Sequence, residues 1–180
     1  MENELNTEPS HYEILFRVRR AIRYHSRLQK HYRRLHNWML FTGLCLSSTA
    51  IITSVTAFFT AVGQGWTWLT SLPAALMSVL WITDHVSQNV QKTGLHKDFV
   101  RRYTDLERRL VAPEGKSPAV VAEVFDKVLQ LEEDEPPVLH VLNILCRNEL
   151  MRAEGFPQEQ QIPVKTIPRL FAGFTDLGAY

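Results

Sequence analysis

The chain has 180 residues, about one domain's worth, with 20 Lys and Arg against 19 Asp and Glu, a net charge of +1 and a mean hydropathy of −0.15. The near-neutral balance argues against a nucleic-acid partner. The 2 cysteines, Cys45 and Cys146, have no CxxC partner, so both read as small apolar fillers rather than a disulfide or a metal pair.

In chain order, residues 1–10 read as a disordered start, acidic and polar, with no hydrophobic leader. Ser10 and Glu13 then fit the S-x-x-E capping box, which sets the start of a helix. No Gly or Pro follows until Gly43, and Ile14, Val18, Ala21, His25, Leu28, Tyr32, Leu35 and Met39 recur at alternating spacings of 4 and 3. This predicts a long amphipathic helix over 11–37, basic on its other face, that runs on into the next segment.

Between Arg34 and Asp84 there is no Asp, Glu, Lys or Arg. A membrane-spanning helix needs roughly 20 apolar residues, so this stretch has the length for two. The break falls at Gly63, Gln64 and Gly65, giving spans near Trp38–Val62 and Trp66–Trp81 within a transmembrane hairpin at 38–85. Trp38 and Trp81 stand at one end, Trp66 and Trp68 at the other, as two interfacial belts would. A buried hairpin in a protein outside the membrane is the competing reading. Lys30, Arg33, Arg34 and Lys92 flank the hairpin and are candidate lipid-headgroup contacts, while its tip is uncharged. The positive-inside rule then predicts a multi-pass inner-membrane protein with both termini cytoplasmic.

Gly43, Ser47, Ala50, Ser54, Ala57 and Ala61 form a seam of small residues at heptad spacing. Small residues let helices approach closely, so the seam is a candidate oligomer or pore contact, or else packs on the second span of its own chain.

Beyond the hairpin, 86–112 reads as a helix continuing from the second span, with Leu95, Phe99, Leu106 and Leu110 on one face and Gly94 as a candidate kink. Pro113, Gly115 and Pro118 mark a loop. A helical pair fills the rest of 113–155: one helix over Ala119–Leu131, ending in the acidic run 132–135, and one from Val138 to about Glu154, with Pro137 at its first position and Gly155 as its stop. The acidic run reads as a solvated helix end, or as a partner for arginines of the first helix or of another subunit. Arg147, Asn148, Glu149 and Arg152 read as a surface face or a partner contact. The Pro-rich tail at 156–180 carries Phe171, Phe174 and Tyr180, which suggest docking. The predicted class is all-α: a two-transmembrane helical hairpin, long cytoplasmic helical extensions and a small C-terminal cytoplasmic helical pair.

No phosphate loop, HExxH or G-x-S-x-G is present, and no histidine pair on the first helix has metal-ligand spacing. The sequence therefore predicts no enzyme, no cofactor and no metal. His36 and His85, beside Asp84, read as interfacial polar residues or as a pair across the hairpin.

The segment HYRRLHNWMLFTGL leading into a span, a second span after a short tip, and the pattern H-x-x-F-x-R-x-Y-x-x-L-x-x-x-L at His96 to Leu110 resemble the SLATT family of two-transmembrane proteins over about residues 11–155. That resemblance implies a bacterial inner-membrane effector that self-associates and permeabilises the membrane in an anti-phage, nucleotide-signalled response. Its implied partners are the lipid bilayer, further copies of itself, and a cytoplasmic sensor protein or nucleotide second messenger. The alternative is a non-enzymatic membrane anchor or scaffold, or a prophage-encoded membrane protein, that recruits a cytoplasmic partner.

Overall fold

The computed structural model describes residues 10–60 and 68–165, and within these the side chains of all but 50, 53–60, 68–71, 73–74 and 85–87. Among the described residues the chain is all-helical, with no strand. Helix α1 spans His11–Thr60, α2 Trp68–Ser87 and α3 Asn89–Val111; a short 3-10 turn at Pro113–Lys116 leads to α4, Pro118–Glu133, and α5 spans His140–Ala153.

The ends of these helices follow local chemistry. Ser10 N–H donates to Glu13 Oε2 at 2.7 Å and Glu13 N–H to Ser10 Oγ at 3.2 Å, so the capping box closes in both directions. At the far end of α5, Gly155 takes φ +83, its N–H reaches Arg152 O at 3.2 Å and Phe156 N–H reaches Met151 O at 2.9 Å. That is a Schellman stop, and it is the left-handed residue that requires glycine. The start of α5 departs from expectation. Pro136 and Pro137 stay outside the helix, and Leu139 N–H donates instead to the Tyr24 hydroxyl of α1 at 2.9 Å. The break after α2 also moves. Gln88, with φ +52, separates α2 from α3, while Gly94 lies inside a continuous helix.

The chain divides into two compact units, Met1–Leu28 with Leu95–Tyr180, and Gln29–Gly94. In the first unit, Ile14 and Val18 of α1 meet Phe99, Tyr103, Leu106 and Leu110 of α3 and Val124 and Val128 of α4 in one apolar cluster. Helix α5 buries Val141, Leu142, Ile144, Cys146, Leu150 and Met151. Arg17 is ion-paired with Glu132, Arg19 with Glu107 and Glu154, and Arg27 with Glu149. The acidic run thus answers arginine on the chain's own first helix.

In the second unit, residues of α1, α2 and α3 meet through polar groups. His36 Nδ1 lies 2.9 Å from Asp84 Oδ2, and buried Asn89 donates to Asp84 Oδ1 at 2.9 Å. Lys92 Nζ sits over the Tyr32 ring, 5.5 Å from its centroid. Met39, Leu40, Gly43 and Leu44 of α1 line a cleft of about 120 Å³ with Met77, Leu80 and Trp81 of α2.

One expectation is overturned. Among the described residues no helix is long and apolar enough to cross a membrane, so the bilayer-spanning hairpin and the multi-pass inner-membrane placement with both termini cytoplasmic are not supported. The sequence argument ran its first span from Trp38 to Val62. Past Trp38 the apolar residues of α1 are interrupted by Thr42, Gly43, Ser47, Ser48 and Thr49, which makes the stretch less apolar than a span requires.

Candidate functional site

Apolar burial is distributed very unevenly. Every buried apolar side chain among the described residues belongs to the first unit. The second unit holds the least charged part of the sequence, yet leaves Trp38, Leu40, Phe41, Leu44, Ile51 and Ile52 of α1 and Leu72, Leu76, Val79, Trp81 and Ile82 of α2 between 47 % and 69 % exposed. Exposed large apolar side chains in this number within one unit mark a contact site. The hydroxyls along it make no outward demand. Thr42, Ser48 and Thr49 donate to the carbonyls four residues back, and Ser47 to Leu44 O. Thr83 does the same to Val79 O on α2.

Toward the N-terminal side, this surface passes into a cationic groove of about 640 Å³ on α1, lined by Lys30, Arg33, Arg34, Asn37, Trp38 and Phe41. The spacing i, i+3, i+4, i+7, i+8, i+11 places all six on one helical face. The Trp38 and Phe41 rings stand edge to face, 6.2 Å apart. Burial first, and the Arg34 charge second, hold the His31 imidazole below its ordinary pKa, which fits a locally positive field.

The sites read from sequence fall as follows. Lys30, Arg33 and Arg34 share the groove, whereas Lys92 is engaged with Tyr32 and does not line it. Trp38 lies in the groove and Trp81 in the α1–α2 cleft. Trp66 and the Gly63–Gly65 turn lie outside the described residues, as do the side chains of Trp68 and His85. Of the small-residue seam, Gly43 lines the cleft facing α2, and Ser47 is half-buried; Ala61 and the side chains of Ala50, Ser54 and Ala57 lie outside the described residues. Cys45 is exposed, while Cys146 is buried and its thiol is pushed up to about 11 by desolvation.

A second constellation had no sequence signal strong enough to find it. In the first unit His25, fully buried, stacks on Phe99 and Tyr103. Its Nδ1 lies 2.9 Å from His96 Nδ1, and its Nε2 lies 2.9 Å from Glu135 Oε1. The Tyr103 hydroxyl donates to the same carboxylate oxygen at 2.6 Å. With Nε2–H donating to the carboxylate, Nδ1 of a neutral His25 is the acceptor and His96 Nδ1–H the donor. Burial works to raise the Glu135 carboxyl, but the hydrogen bonds from His25 and Tyr103 outweigh it and hold it below the usual range. His96 and Glu135 stand 71 and 110 residues from His25, which is why no spacing rule reveals them. Among the described residues no cluster of three or more His, Cys, Asp or Glu could hold a metal ion.

Of the α5 residues singled out from sequence, Asn148, Glu149 and Arg152 are engaged within the first unit, whereas Arg147 Nη1 is buried with no hydrogen-bond partner among the described residues. Asn148 pairs with the Ile162 backbone through both amide atoms, at 2.7 and 3.0 Å, which fastens the start of the tail. Glu149 pairs with Arg27, and Arg152 reaches Gln161 Oε1 at 3.3 Å. Phe171, Phe174 and Tyr180 lie outside the described residues.

No family model, curated protein or solved structure matches the chain, so the likeness to SLATT proteins remains a resemblance.

Proposed function

We propose that this chain is a non-enzymatic helical scaffold that self-associates through its second unit and so presents the first unit in several copies to a partner. The observation that carries this reading is the segregation of apolar burial. The first unit covers its own core, whereas the second leaves large apolar side chains on both α1 and α2 uncovered. Helices with outward apolar faces and internally satisfied hydroxyls are complementary to copies of themselves, and closed assemblies of identical chains are the commonest way to cover such faces. The SLATT resemblance supports self-association and recruitment of a partner; a membrane pore is no part of the proposal, because it would need a span.

The test is the mass of the full chain in aqueous buffer by light scattering, alongside Leu44→Glu/Val79→Glu. Both positions are more than half exposed, so the charges are tolerated in the monomer. The unsubstituted chain is expected as a discrete multimer and the variant as a monomer with the same helical circular dichroism. A monomeric unsubstituted chain, or an unchanged mass in the variant, overturns the proposal.

A further inference from the structure

In the first unit Arg17, Arg19 and Arg27 are ion-paired, while Arg23 and Arg101 make no ion pair among the described residues but stand on surfaces without an aromatic pair beside them. The second unit gathers its cations. Its charged side chains are Lys30, Arg33, Arg34 and Lys92 against a single acid, Asp84, and Asp84 is already held by His36 and Asn89. Lys30, Arg33 and Arg34 therefore converge on one helical face with no acidic partner among the described residues. Asn37 adds an amide to that face, and Trp38 and Phe41 follow directly, both 61 % exposed. Further along the same face comes Leu44, at 67 %. The order along the helix is cationic, then amphipathic aromatic, then aliphatic.

We infer that this groove on α1 is a binding site for the headgroup of an anionic phospholipid. The phosphate oxygens accept from the Lys30 ammonium and the Arg33 and Arg34 guanidinium groups, and Asn37 donates beside them. The interfacial part of the lipid lies against the Trp38 indole and the Phe41 ring. Three features select this occupant. Unpaired guanidinium groups match phosphate in charge and in bidentate geometry. An indole prefers the level between headgroup and chain. The face is open and passes onto aliphatic surface at Leu44, as a head that carries a tail requires. A free phosphate would use the cations and make no use of the aromatic pair beside them. The contact lies at the surface and asks for no crossing of the bilayer.

The experiment is flotation of the full chain with vesicles of phosphatidylcholine alone and of phosphatidylcholine containing 30 % phosphatidylglycerol (roughly the anionic surface charge at which basic patches engage). The variant is Lys30→Glu/Arg33→Glu/Arg34→Glu, with Lys97→Glu/Arg101→Glu/Arg108→Glu of the first unit as a matched charge control. All six positions are exposed. The unsubstituted chain and the control are expected to float with the anionic vesicles and to be released by salt. The triple variant is expected to bind at least about a hundredfold more weakly, from three cations each worth several-fold near a charged surface. Its light-scattering mass is expected to be unchanged, which separates this site from the assembly proposed above. Equal flotation on both vesicle types, or a triple variant that floats like the control, overturns the inference. So does release by inorganic phosphate or by oligoglutamate at ionic strengths where chloride has no effect, which would assign the groove to a free anion or to an acidic peptide.

Discussion

His25 and Tyr103 share one carboxylate oxygen of Glu135, and together with His96 they fix α1, α3 and the α4–α5 connection to one another inside the first unit. Removing one member of a buried charge-assisted set leaves the others desolvated and unpaired. His25→Ala is therefore expected to cost about 3 kcal/mol in urea unfolding, and Tyr103→Phe about 2 kcal/mol. The acid limb of stability carries the same signature. The Glu135 carboxyl is lowered in the folded chain, so its contribution is present above its unfolded pKa and is lost as pH falls through the folded value. The melting temperature is expected to hold from neutrality to about pH 5 and to fall below about pH 4.5. In Tyr103→Phe the fall is expected to be smaller and to be complete at a higher pH, because the carboxylate has lost a donor. Tyr103 itself acts at the other limb. Burial first, and the bond to Glu135 second, raise its phenol, so stability is lost as pH rises past about 10, where the unfolded chain ionises and the folded one does not.

At the scale of elements, the glycines separate into those the backbone requires and those it does not. A Cβ at Gly115 would stand 2.3 Å from Leu110 O and 2.4 Å from Arg109 O, so the turn joining α3 to α4 closes only because that position has no side chain. Gly115→Ala is expected to destabilise by more than about 2 kcal/mol. Gly94 meets nothing within 4 Å and lies inside α3, so Gly94→Ala is expected to raise stability by roughly 0.5–1 kcal/mol through helix propensity alone. Thermal melts of the two variants are expected to shift in opposite directions. Sequence reasoning found the α3–α4 loop from Pro113, Gly115 and Pro118, and found the capping box and the Gly155 stop, because those signals act over four or five residues. It read one helix continuing past the second span, with Gly94 as a candidate kink, whereas the chain turns at Gln88. Gln88 is an ordinary residue in a left-handed conformation, a choice made by the contacts around Asp84 and Asn89 rather than by any local preference.

For the whole molecule, the two units differ in what holds them together. The first buries apolar side chains from α1, α3, α4 and α5; the second buries none among the described residues and is joined by His36, Asp84, Asn89 and the Lys92–Tyr32 contact. Local stability follows buried apolar area. In hydrogen exchange on monomeric Leu44→Glu/Val79→Glu, amides over 99–110 and 141–151 are expected to exchange at the rate of global unfolding. Those over 38–52 are expected to exchange at least about tenfold faster. In the unsubstituted multimer the 38–52 amides are expected to gain protection. Uniform protection across both units in the monomer would show that the second unit is stable without a partner surface.

The sequence by itself determined the all-helical class, most helix ends, and the stretch that carries no charge, since periodicity, caps and composition act on neighbouring residues. Lys30, Arg33, Arg34 and Trp38 of the cationic groove were named from sequence, whereas Asn37 and Phe41 were not and Lys92 stands outside it. Tertiary structure decided which arginines are paired, that the acidic run answers α1, and that His25, His96, Tyr103 and Glu135 meet. It also decided that α5 fastens the start of the tail. Those contacts join residues tens of positions apart, and no local energy term depends on them until the helices pack.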